Sequence, residues 1–440
     1  MARFAALELL RARHHVSLRA VDRAAREHNL DDRNRALLRR LIGTEVRRRG
    51  TLRALTKTFA RGKPSQGVQD CLALGFIQAF FLDTIPDHAA VGETVRAATE
   101  FVGPKKANYV NAILRAAIRA RVMGRSGDPR RDVPLRDLHL EIPVFNDPAQ
   151  HPLLWAEDAL SMPVALMKRW YKRYGTEQAN ALALAALEEP DLSVRVVQGT
   201  RETTEAAFDG HITFRRSAHE RVLVAPMNAA REIVRSDLFT SGSLTVQGES
   251  AVRAAELVDA RAGERVLDVC AAPGGKTAIL AATGAQVIAC DDDEKRCARL
   301  NETLQRLNVA AAVEVRVHDA TLGFGEERFD AVLVDAPCSN TGVLAARPGA
   351  RWRFSTESQR TLGELQLKLL TASAAATAPG GRLVYSTCSI EPEENQRRVR
   401  AFLAQDSAFT LEHEIESLPA PHGGNGPVDG GYAARLRRNT

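Results

Sequence analysis

The sequence Asp268-Val269-Cys270-Ala271-Ala272-Pro273-Gly274-Gly275-Lys276 joins an apolar segment, Arg265–Val269, to a segment with helical periodicity. Its two adjacent glycines allow the backbone to turn tightly and to approach a ligand. A phosphate-binding loop would need a further glycine five residues before Gly275, but Cys270 stands there, which disfavours nucleotide hydrolysis. The Gly-x-Gly-x-x-Gly pattern of dinucleotide-binding proteins is also missing from this turn. The motif therefore predicts a strand-to-helix turn that binds a different ligand.

From about residue 241 onward, apolar segments of strand length alternate with segments of helical periodicity. This alternation is typical of a doubly wound, mostly parallel sheet, in which ligands bind beyond the carboxyl ends of the strands. We therefore predict that residues 241–440 form an α/β, Rossmann-like domain. The predicted strands are Arg265–Val269, Gln286–Cys290, Val313–His318, Ala331–Val334 and Arg382–Ser386. The residues just past the strand ends, which should meet at one rim, are Gly274, Asp291, Asp319, Asp335 and Cys388.

Two cysteines lie fifty residues apart, each in a short motif after a predicted strand: Asp335-Ala336-Pro337-Cys338 and Ser386-Thr387-Cys388-Ser389. One such cysteine alone would more often be an inert packing residue. Two at the same rim favour a pair of thiols at one active site. A reactive thiolate needs a nearby cation or a helix N-terminus, and Lys276 is the candidate cation. Asp335 is suited to hydrogen-bond a ring nitrogen of a base.

Two further carboxylates follow strands and suit a ligand that contains a nucleoside. Asp291 ends the second predicted strand, where a carboxylate can bind both hydroxyls of a ribose. Asp319 follows the third strand and is placed to accept a hydrogen bond from an adenine amino group. The alternative is a purely structural turn whose solvated carboxylates cap neighbouring helices.

The composition is that of a soluble globular protein, with 45% hydrophobic and 26% charged residues. No apolar run approaches the length of a membrane span, and the N-terminus lacks the apolar segment of a signal peptide, so we expect a cytoplasmic, monomeric protein with no membrane partner. Six cysteines without paired spacing and eleven scattered histidines predict neither disulfides nor a metal site.

The first third of the chain is basic and is predicted to be helical. Residues 1–131 hold 26 lysines and arginines against 12 aspartates and glutamates, whereas the remainder holds 34 against 42. Such an excess favours binding to a polyanion, and the alternative is a solvated arginine-rich surface. Arg47-Arg48-Arg49 and Lys105-Lys106 are solvated charge by default, with contact to an RNA backbone as the sharper interpretation. The predicted organisation is an all-helical domain at 1–123, a linker at 124–150 and a small α+β region at 151–240.

Together these motifs resemble the bacterial RNA cytosine-C5 methyltransferases of the Sun/Fmu type, the RsmB family. The matching motifs are Asp268–Lys276, Asp335–Cys338 and Thr387-Cys388-Ser389, and the ending Asp429–Leu436 resembles the family's last strand. The N-terminal helices are similar to the NusB-like RNA-binding domain that is fused to those enzymes. The segments that carry this second likeness are Ile85–Val91 and Val110–Arg115.

The resemblance implies S-adenosylmethionine as the methyl donor and one cytosine of 16S (small-subunit) rRNA as the substrate. It makes Cys388 the nucleophile, while Cys338 assists product release and Asp335 stabilises charge at N3 of the base. The implied cofactor residues are Cys270, Ala271, Ala272, Pro273, Gly274, Gly275, Lys276, Asp291, Asp319 and Asp335.

Some positions depart from the family pattern, and they concern specificity more than chemistry. The segment Ala345-Ala346-Arg347-Pro348-Gly349 lacks the usual adjacent basic residues and Pro-Asp pair, Gln198 follows Val197 where asparagine is usual, and Gly248 stands where an acidic residue is common. Three alternatives stay open: a non-catalytic RNA-binding assembly factor, the same chemistry on another RNA, and a DNA cytosine methyltransferase. The last would use a Pro-Cys nucleophile in the fourth motif alone, and the NusB-like half argues against it.

Overall fold

The structure is a computed structural model that describes residues 1–12, 18–420, 424 and 426–440. His14 and His15, and part of the Gly/Pro-rich loop that the sequence predicts at 419–431, lie outside the described residues. The chain divides into two compact units, Met1–Glu188 and Glu189–Thr440. None of the helices in the described residues is long and apolar enough to cross a membrane.

The first unit begins with the helices that the sequence predicts. The N-terminus of α3 is capped by the Asp31 side chain, which accepts a hydrogen bond of 2.7 Å from the Asn34 amide. Pro104 opens α6, where its missing N–H costs nothing. The first six helices are α1 (Ala2–Arg11), α2 (Leu18–Glu27), α3 (Asp32–Phe59), α4 (Gln66–Phe81), α5 (Asp87–Val102) and α6 (Pro104–Arg119).

The segment predicted as a linker, 124–150, is instead packed into the first unit. Strands β1 (Arg121–Met123) and β2 (Leu138–Leu140) pair antiparallel around it, and Val133 and Phe145 are buried. The buried Asp132 carboxylate accepts hydrogen bonds from the amides of Ser126 and Gly127. Such local side-chain-to-backbone bonds order a loop without any hydrophobic period, so the sequence pattern gave no signal.

The next two helices, α7 (Pro152–Ala159) and α8 (Val164–Ala185), also fall in the first unit rather than with the region predicted at 151–240. Gly175, at φ 76°, interrupts α8 where the sequence predicts one helix to end and another to follow. These helices have buried apolar faces, which include Trp170. Hydrophobic periodicity in a sequence reveals such a face but not the element it packs against, so the predicted boundary differs from the observed one.

The second unit opens with a four-stranded antiparallel sheet in the order β4-β5-β3-β6. Its last member, β6, lies after residue 240, in the predicted domain 241–440. The small sheet therefore crosses the boundary that the sequence predicts at residue 240. The elements are β3 (Leu192–Val196), α9 (Arg201–Ala207), β4 (Arg215–Arg216), β5 (Val222–Ala225), α10 (Ala230–Arg235), α11 (Asp237–Thr240) and β6 (Leu244–Val246).

A seven-stranded sheet in the order β12-β13-β11-β10-β7-β8-β9 follows, and it confirms the predicted α/β class. The five strands from β11 to β9 are parallel, whereas β13 runs antiparallel between β11 and β12. The elements are α12 (Glu249–Glu256), β7 (Arg265–Val269), α13 (Gly275–Ala282), β8 (Gln286–Asp291), α14 (Glu294–Arg306), β9 (Val313–Val317), β10 (Phe329–Asp335), α15 (Thr356–Ala376), β11 (Thr377–Thr387), α16 (Gln396–Leu403), β12 (Phe409–Ser417) and β13 (Gly431–Arg438).

The central strands bury both of their faces. In β10, Val332 and Val334 pack with α15 and α16, whereas Ala331 and Leu333 pack with α13 on the other side. A strand covered on both faces needs apolar side chains at successive positions, which explains the uninterrupted hydrophobic runs in the sequence. With both faces covered, the exposed functional surface of the sheet is its carboxyl-end rim, the edge that carries Gly274, Asp291, Asp335, Cys338 and Cys388.

Candidate active site

The turn after β7 has a backbone conformation that requires glycine at position 274. Gly274 adopts φ 101° as the N-terminal cap of α13, and a Cβ added there would lie 2.6 Å from Leu300. The fully buried Asp268 accepts a 2.6 Å hydrogen bond from the Thr277 hydroxyl, and burial raises the pKa of Asp268 to about 7. This bond connects the end of strand β7 to the first turn of helix α13.

Asp291, at the end of β8, has one carboxylate oxygen engaged and one free. Oδ1 lies 2.9 Å from Arg296 Nε and accepts a bond from the Asp293 amide, but Oδ2 is buried without a partner among the described residues. Burial raises the pKa of Asp291, despite these contacts. An unpaired buried acceptor is costly, so Oδ2 is suited to accept a hydrogen bond from a bound ligand.

Asp319 is exposed and uses its carboxylate locally. Its Oδ1 accepts hydrogen bonds from the Thr321 amide at 2.9 Å and the Thr321 hydroxyl at 2.7 Å, which lower the pKa of Asp319. The structure thus gives this residue a capping role, and places it after β9, at the same edge of the sheet as the loop after β7.

Asp335 joins the loop after β7 to the strand that carries the second cysteine. Lys276 Nζ lies 2.7 Å from Asp335 Oδ2, and the Ser386 hydroxyl donates to Oδ1 at 2.9 Å. Burial acts to lower the pKa of Lys276, but the charge of Asp335 and the hydrogen bond to it outweigh burial, and the net change is upward. The ammonium predicted to assist a thiolate is therefore engaged first with Asp335.

The two thiols predicted to share a site are in contact. Cys338 Sγ and Cys388 Sγ lie 3.3 Å apart, because the parallel strands β10 and β11 pair Asp335 with Ser386. Cys388 Sγ also lies 3.3 Å from Asn340 Oδ1, which can only accept. A thiol proton on Cys388 is therefore directed to Asn340, and the Cys338 thiol is left to donate to the Cys388 sulfur.

The contact between the thiols makes them chemically unequal. The hydrogen bond from Cys338 lowers the pKa of Cys388, although burial and the charge of Asp335 oppose it, and the charges of Arg347 and Lys276 act in the same direction as the bond. The same bond, together with burial, raises the pKa of Cys338 well above its ordinary value. Cys388 is thus the more acidic thiol of the pair, and Cys338 is the weaker acid that can donate a hydrogen bond to it.

The loop that follows Cys338, which contains Asn340 and Arg347, contacts the thiol pair. Asn340 adopts φ 60°, a left-handed conformation that asparagine tolerates better than most residues. Its Nδ2 donates to the Cys338 carbonyl at 2.7 Å, and Arg347 Nη1 donates to its Oδ1 at 2.7 Å. Arg347 therefore brings a positive charge to the rim through Asn340.

Glu394 is a structural residue of the site that the sequence analysis missed. It lies just before α16, which begins at Gln396. Its carboxylate accepts from the Ser339 amide at 2.9 Å, from Gln366 at 3.2 Å, and from the hydroxyls of Ser339 and Ser389. The loops of both cysteines are thus tied to one carboxylate. The available signal was the repeated Cys-Ser pair, since a serine follows each cysteine.

The structure therefore places Cys338 in contact with Cys388 and Lys276 in contact with Asp335 at one rim, and places Cys270, Ala271, Ala272, Pro273, Gly274 and Gly275 in the adjoining loop. Asp291 follows the neighbouring strand, β8, and Asp319 is farther along the sheet, after β9. Within the described residues, no group of three or more histidine, cysteine, aspartate or glutamate side chains is arranged to hold a metal ion.

Comparisons with known proteins identify two families that match parts of this chain. Residues 255–423 match the family described as 16S rRNA methyltransferase RsmB/F, and residues 2–119 match the NusB family. Proteins named ribosomal RNA small subunit methyltransferase B from Yersinia pseudotuberculosis and Yersinia pestis are each 31% identical to this chain over 421 residues, which cover 91% of this chain and 90% of theirs.

Solved structures share the fold. The crystal structure of PH0851 has a TM-score of 0.75 at 24% identity and covers 99% of this chain and 98% of its own. A methyltransferase homologue from Pyrococcus horikoshii has a TM-score of 0.54 at 25% identity, covering 65% of this chain and 99% of its own.

Proposed function

The chain belongs to the RsmB/F family of 16S rRNA methyltransferases, and we propose that it methylates C5 of one cytosine in 16S rRNA through a covalent bond between Cys388 and C6 of the base. The family depends on S-adenosylmethionine. The observation that carries the finer proposal is the 3.3 Å contact between Cys338 and Cys388, which favours a thiolate on Cys388.

The thiolate is needed because C5 of cytosine is a poor nucleophile. Addition of the Cys388 sulfur to C6 converts the ring into an enamine-like species whose C5 can attack an electrophilic methyl group. After methylation, loss of the C5 proton and of the sulfur restores the aromatic ring. Cys338, as the proton donor of the pair, stabilises the departing Cys388 thiolate.

Asp335 is positioned to act on the base itself. Its two oxygens are already oriented by Lys276 and Ser386, so the carboxyl group need not reorganise when a base enters. We assign it the contact with N3, which becomes more basic as the sulfur adds to C6 and takes up a proton; the Asp335 carboxylate then accepts a hydrogen bond from the protonated N3. A base buried in a duplex could not reach this rim, so the target cytosine must be unpaired or flipped out.

The residues of the rim fit the adenosyl group that the family uses. Asp291 Oδ2 is a buried acceptor without a partner among the described residues, as a ribose hydroxyl would require, and Gly274, at φ 101°, allows the tight turn of the loop. We assign binding to the loop Cys270–Lys276 and to Asp291, Asp319 and Asp335. When bound, S-adenosylmethionine supplies an electrophilic methyl group on a sulfonium.

The basic helices of the NusB-matching region are assigned to RNA affinity. The proposed RNA contacts at Arg47-Arg48-Arg49 receive no support, because Arg47 and Arg48 are buried and Arg49 is paired with Glu45 at 2.8 Å. Arg48 donates to the Pro134 carbonyl and lies over the Phe81 ring. Lys105 and Lys106 are exposed at the start of α6, and we propose that they contact RNA phosphates.

Bisulfite sequencing of 16S rRNA tests the proposed product. A strain that lacks the gene should lose one 5-methylcytosine signal, which the wild-type gene restores and the Cys388→Ala gene does not. Restoration by Cys388→Ala would refute the nucleophile. If all 16S cytosines stay unchanged in the deletion strain, the proposed substrate is wrong.

A further inference from the structure

The segment before β13 lies against the Cys388 loop. Thr387 pairs with Tyr432, the Gly430 amide donates to the Gly342 carbonyl at 2.7 Å, and the Gly342 amide donates to the Cys388 carbonyl at 3.1 Å. A Cβ added to Gly342 would lie 2.6 Å from the Gly430 oxygen and 3.0 Å from the Cys388 oxygen. Because β13 is antiparallel to β11, its first residues are at the carboxyl-end rim.

Asp429 directly precedes Gly430, and its carboxyl group lies in a confined space. A Cβ on Gly248 would lie 2.5 Å from Asp429 Oδ2, so the glycine at the start of α12 makes room for the carboxyl. No donor among the described residues hydrogen-bonds it. Burial raises the pKa of Asp429 to about 6, and the charge of Arg347 limits the rise. The carboxylate is therefore more basic than that of an ordinary aspartate.

The other carboxylates of this region already have strong partners. Asp335 is bound by Lys276, and Glu394 accepts bonds from both cysteine loops. Glu249, at the start of α12, is paired with Arg253 at 2.7 Å through Oε1, although its Oε2 is buried without a partner among the described residues. A carboxylate held by cations and donors is a weak base, so Asp429 is the carboxylate of this group that is best suited to accept a proton.

The strand order places Asp429 on the side where a base is needed. From β13 through β11, β10 and β7 to β8, the sheet presents Asp429, Cys388, Asp335, Gly274 and Asp291 in turn. A methyl group delivered to C5 from the β7–β8 side displaces the C5 hydrogen toward the opposite face of the ring. If Cys388 adds to C6 from that face, the displaced hydrogen lies on the side of Cys388 and of the segment before β13.

We propose that the Asp429 carboxylate is the base that accepts the C5 proton of the methylated adduct, an assignment that rests on the proposed cytosine-C5 reaction. The C5–H bond breaks, its electron pair forms the C5–C6 double bond, and the bond between C6 and the Cys388 sulfur breaks. The proton passes to Asp429, and the sulfur leaves as a thiolate that the Cys338 thiol stabilises. Asp429 and Cys338 thus act on opposite ends of one elimination.

The test is a single-turnover reaction with full-length enzyme, a 16S rRNA transcript that carries tritium at cytosine C5, and a carbon-14 methyl donor. We expect Asp429→Asn to transfer the methyl group but to release tritium about a hundredfold more slowly or worse, in line with the loss of a general base. The protein–RNA adduct on a denaturing gel should retain both labels. Asp330→Asn, which changes a carboxylate at the opposite end of β10, is the matched control and should release tritium at the wild-type rate.

Chemical rescue separates Asp429 from Cys338, since loss of either should accumulate an adduct. Sodium formate should restore tritium release by Asp429→Ala, because a small carboxylate can occupy the vacated space, but it should not restore release by Cys338→Ala. Wild-type tritium release by both Asp429 variants would overturn the assignment. So would loss of methyl transfer itself in folded Asp429→Asn, since the base acts only after that step. If the wild-type enzyme methylates RNA without forming an adduct or releasing tritium, the proposed C5 reaction fails instead.

Discussion

The carboxyl-end rim and the basic helices of the first unit use polar side chains in opposite ways. At the rim, each functional group is held by a neighbour: Lys276 by Asp335, Cys388 by Cys338, and both cysteine loops by Glu394. In the first unit the positive charge is spread over many residues, and Lys105 and Lys106 stand exposed without an ion pair to a described residue. The rim should therefore fail abruptly when one residue changes, whereas the helices should weaken in small steps.

Cys388→Ala should have the largest effect at the rim. The thiolate activates the ring and does not hold the methyl donor, so methyl incorporation into 16S rRNA should disappear while S-adenosylmethionine binding stays within about twofold of wild type. Radiolabel incorporation and calorimetric titration measure the two properties. Near-normal turnover would show that the nucleophile lies elsewhere, with Cys338 as the obvious candidate.

Cys338→Ala should trap the reaction rather than abolish it. Without a proton donor to the departing sulfur, elimination slows more than addition, and a covalent protein–RNA complex should accumulate. The complex should appear as an RNA-dependent shift on a denaturing gel and should vanish in the double variant with Cys388→Ala. Full activity without any shift would reduce Cys338 to a packing residue.

Alkylation sharpens the contrast among the thiols themselves. Because the hydrogen bond from Cys338 lowers the pKa of Cys388, the Cys388 thiolate persists as pH falls until the lowered pKa is reached, and iodoacetamide should modify it first. Burial raises the pKa of Cys71 and Cys290 to about 12, so only about one in 10⁵ of these thiols is ionised at pH 7. Mass spectrometry across a pH series measures the order of labelling.

The same labelling series has an internal control. Cys338→Ala removes the donor, so the pKa of Cys388 should rise and its labelling at neutral pH should slow. Unchanged labelling of Cys388 in this variant would mean that Arg347 and Lys276, rather than the partner thiol, hold the thiolate.

Asp291→Ala should have an intermediate effect that is confined to the cofactor. Loss of charge-assisted hydrogen bonds of about 1.5–3 kcal/mol each should weaken S-adenosylmethionine binding by about one to two decades in Kd. Asp292→Ala is the matched control, because Asp292 is exposed and shares the contact with Arg296. Equal affinity of both variants in a calorimetric titration would remove Asp291 from the site.

The sequence predicts the strands of the rim well, because buried parallel strands are continuous apolar runs. Strand β7 matches its prediction at both ends, and β9 ends one residue early. Strand β12 is an edge strand with mostly exposed side chains, including Glu412, Glu414 and Glu416, and it is ordered by pairing with β13. Phe409, Leu411 and Ile415 alternate with polar residues, so the period of a strand was present in the sequence and was missed.

The sequence predicts those residues of the candidate site whose side-chain type is rare and chemically distinctive. Cys338 and Cys388 could be singled out because thiols at two strand ends are unusual, and the pairing of β10 with β11 then brings them together. Asn340, Arg347 and Glu394 were not predicted as parts of the site, since amide, guanidinium and carboxylate side chains are common in loops. Their importance depends on distances across about fifty residues of chain, which a linear pattern does not contain.

Substitutions in the basic helices should have the smallest effect, a gradual loss of RNA affinity. Each lysine that neutralises an RNA phosphate releases counterions, so it contributes a fixed amount to the salt dependence of binding rather than a specific contact. The double variant Lys105→Gln/Lys106→Gln should therefore bind 16S rRNA more weakly, and the slope of log affinity against log salt should fall by about 1.4 for two single-stranded contacts. The variant Lys105→Arg/Lys106→Arg keeps both charges and should keep the wild-type slope, while S-adenosylmethionine binding by both variants should be unchanged. If the glutamine variant also keeps the wild-type slope, these lysines are only a solvated surface, and the excess charge of the first unit must meet RNA elsewhere.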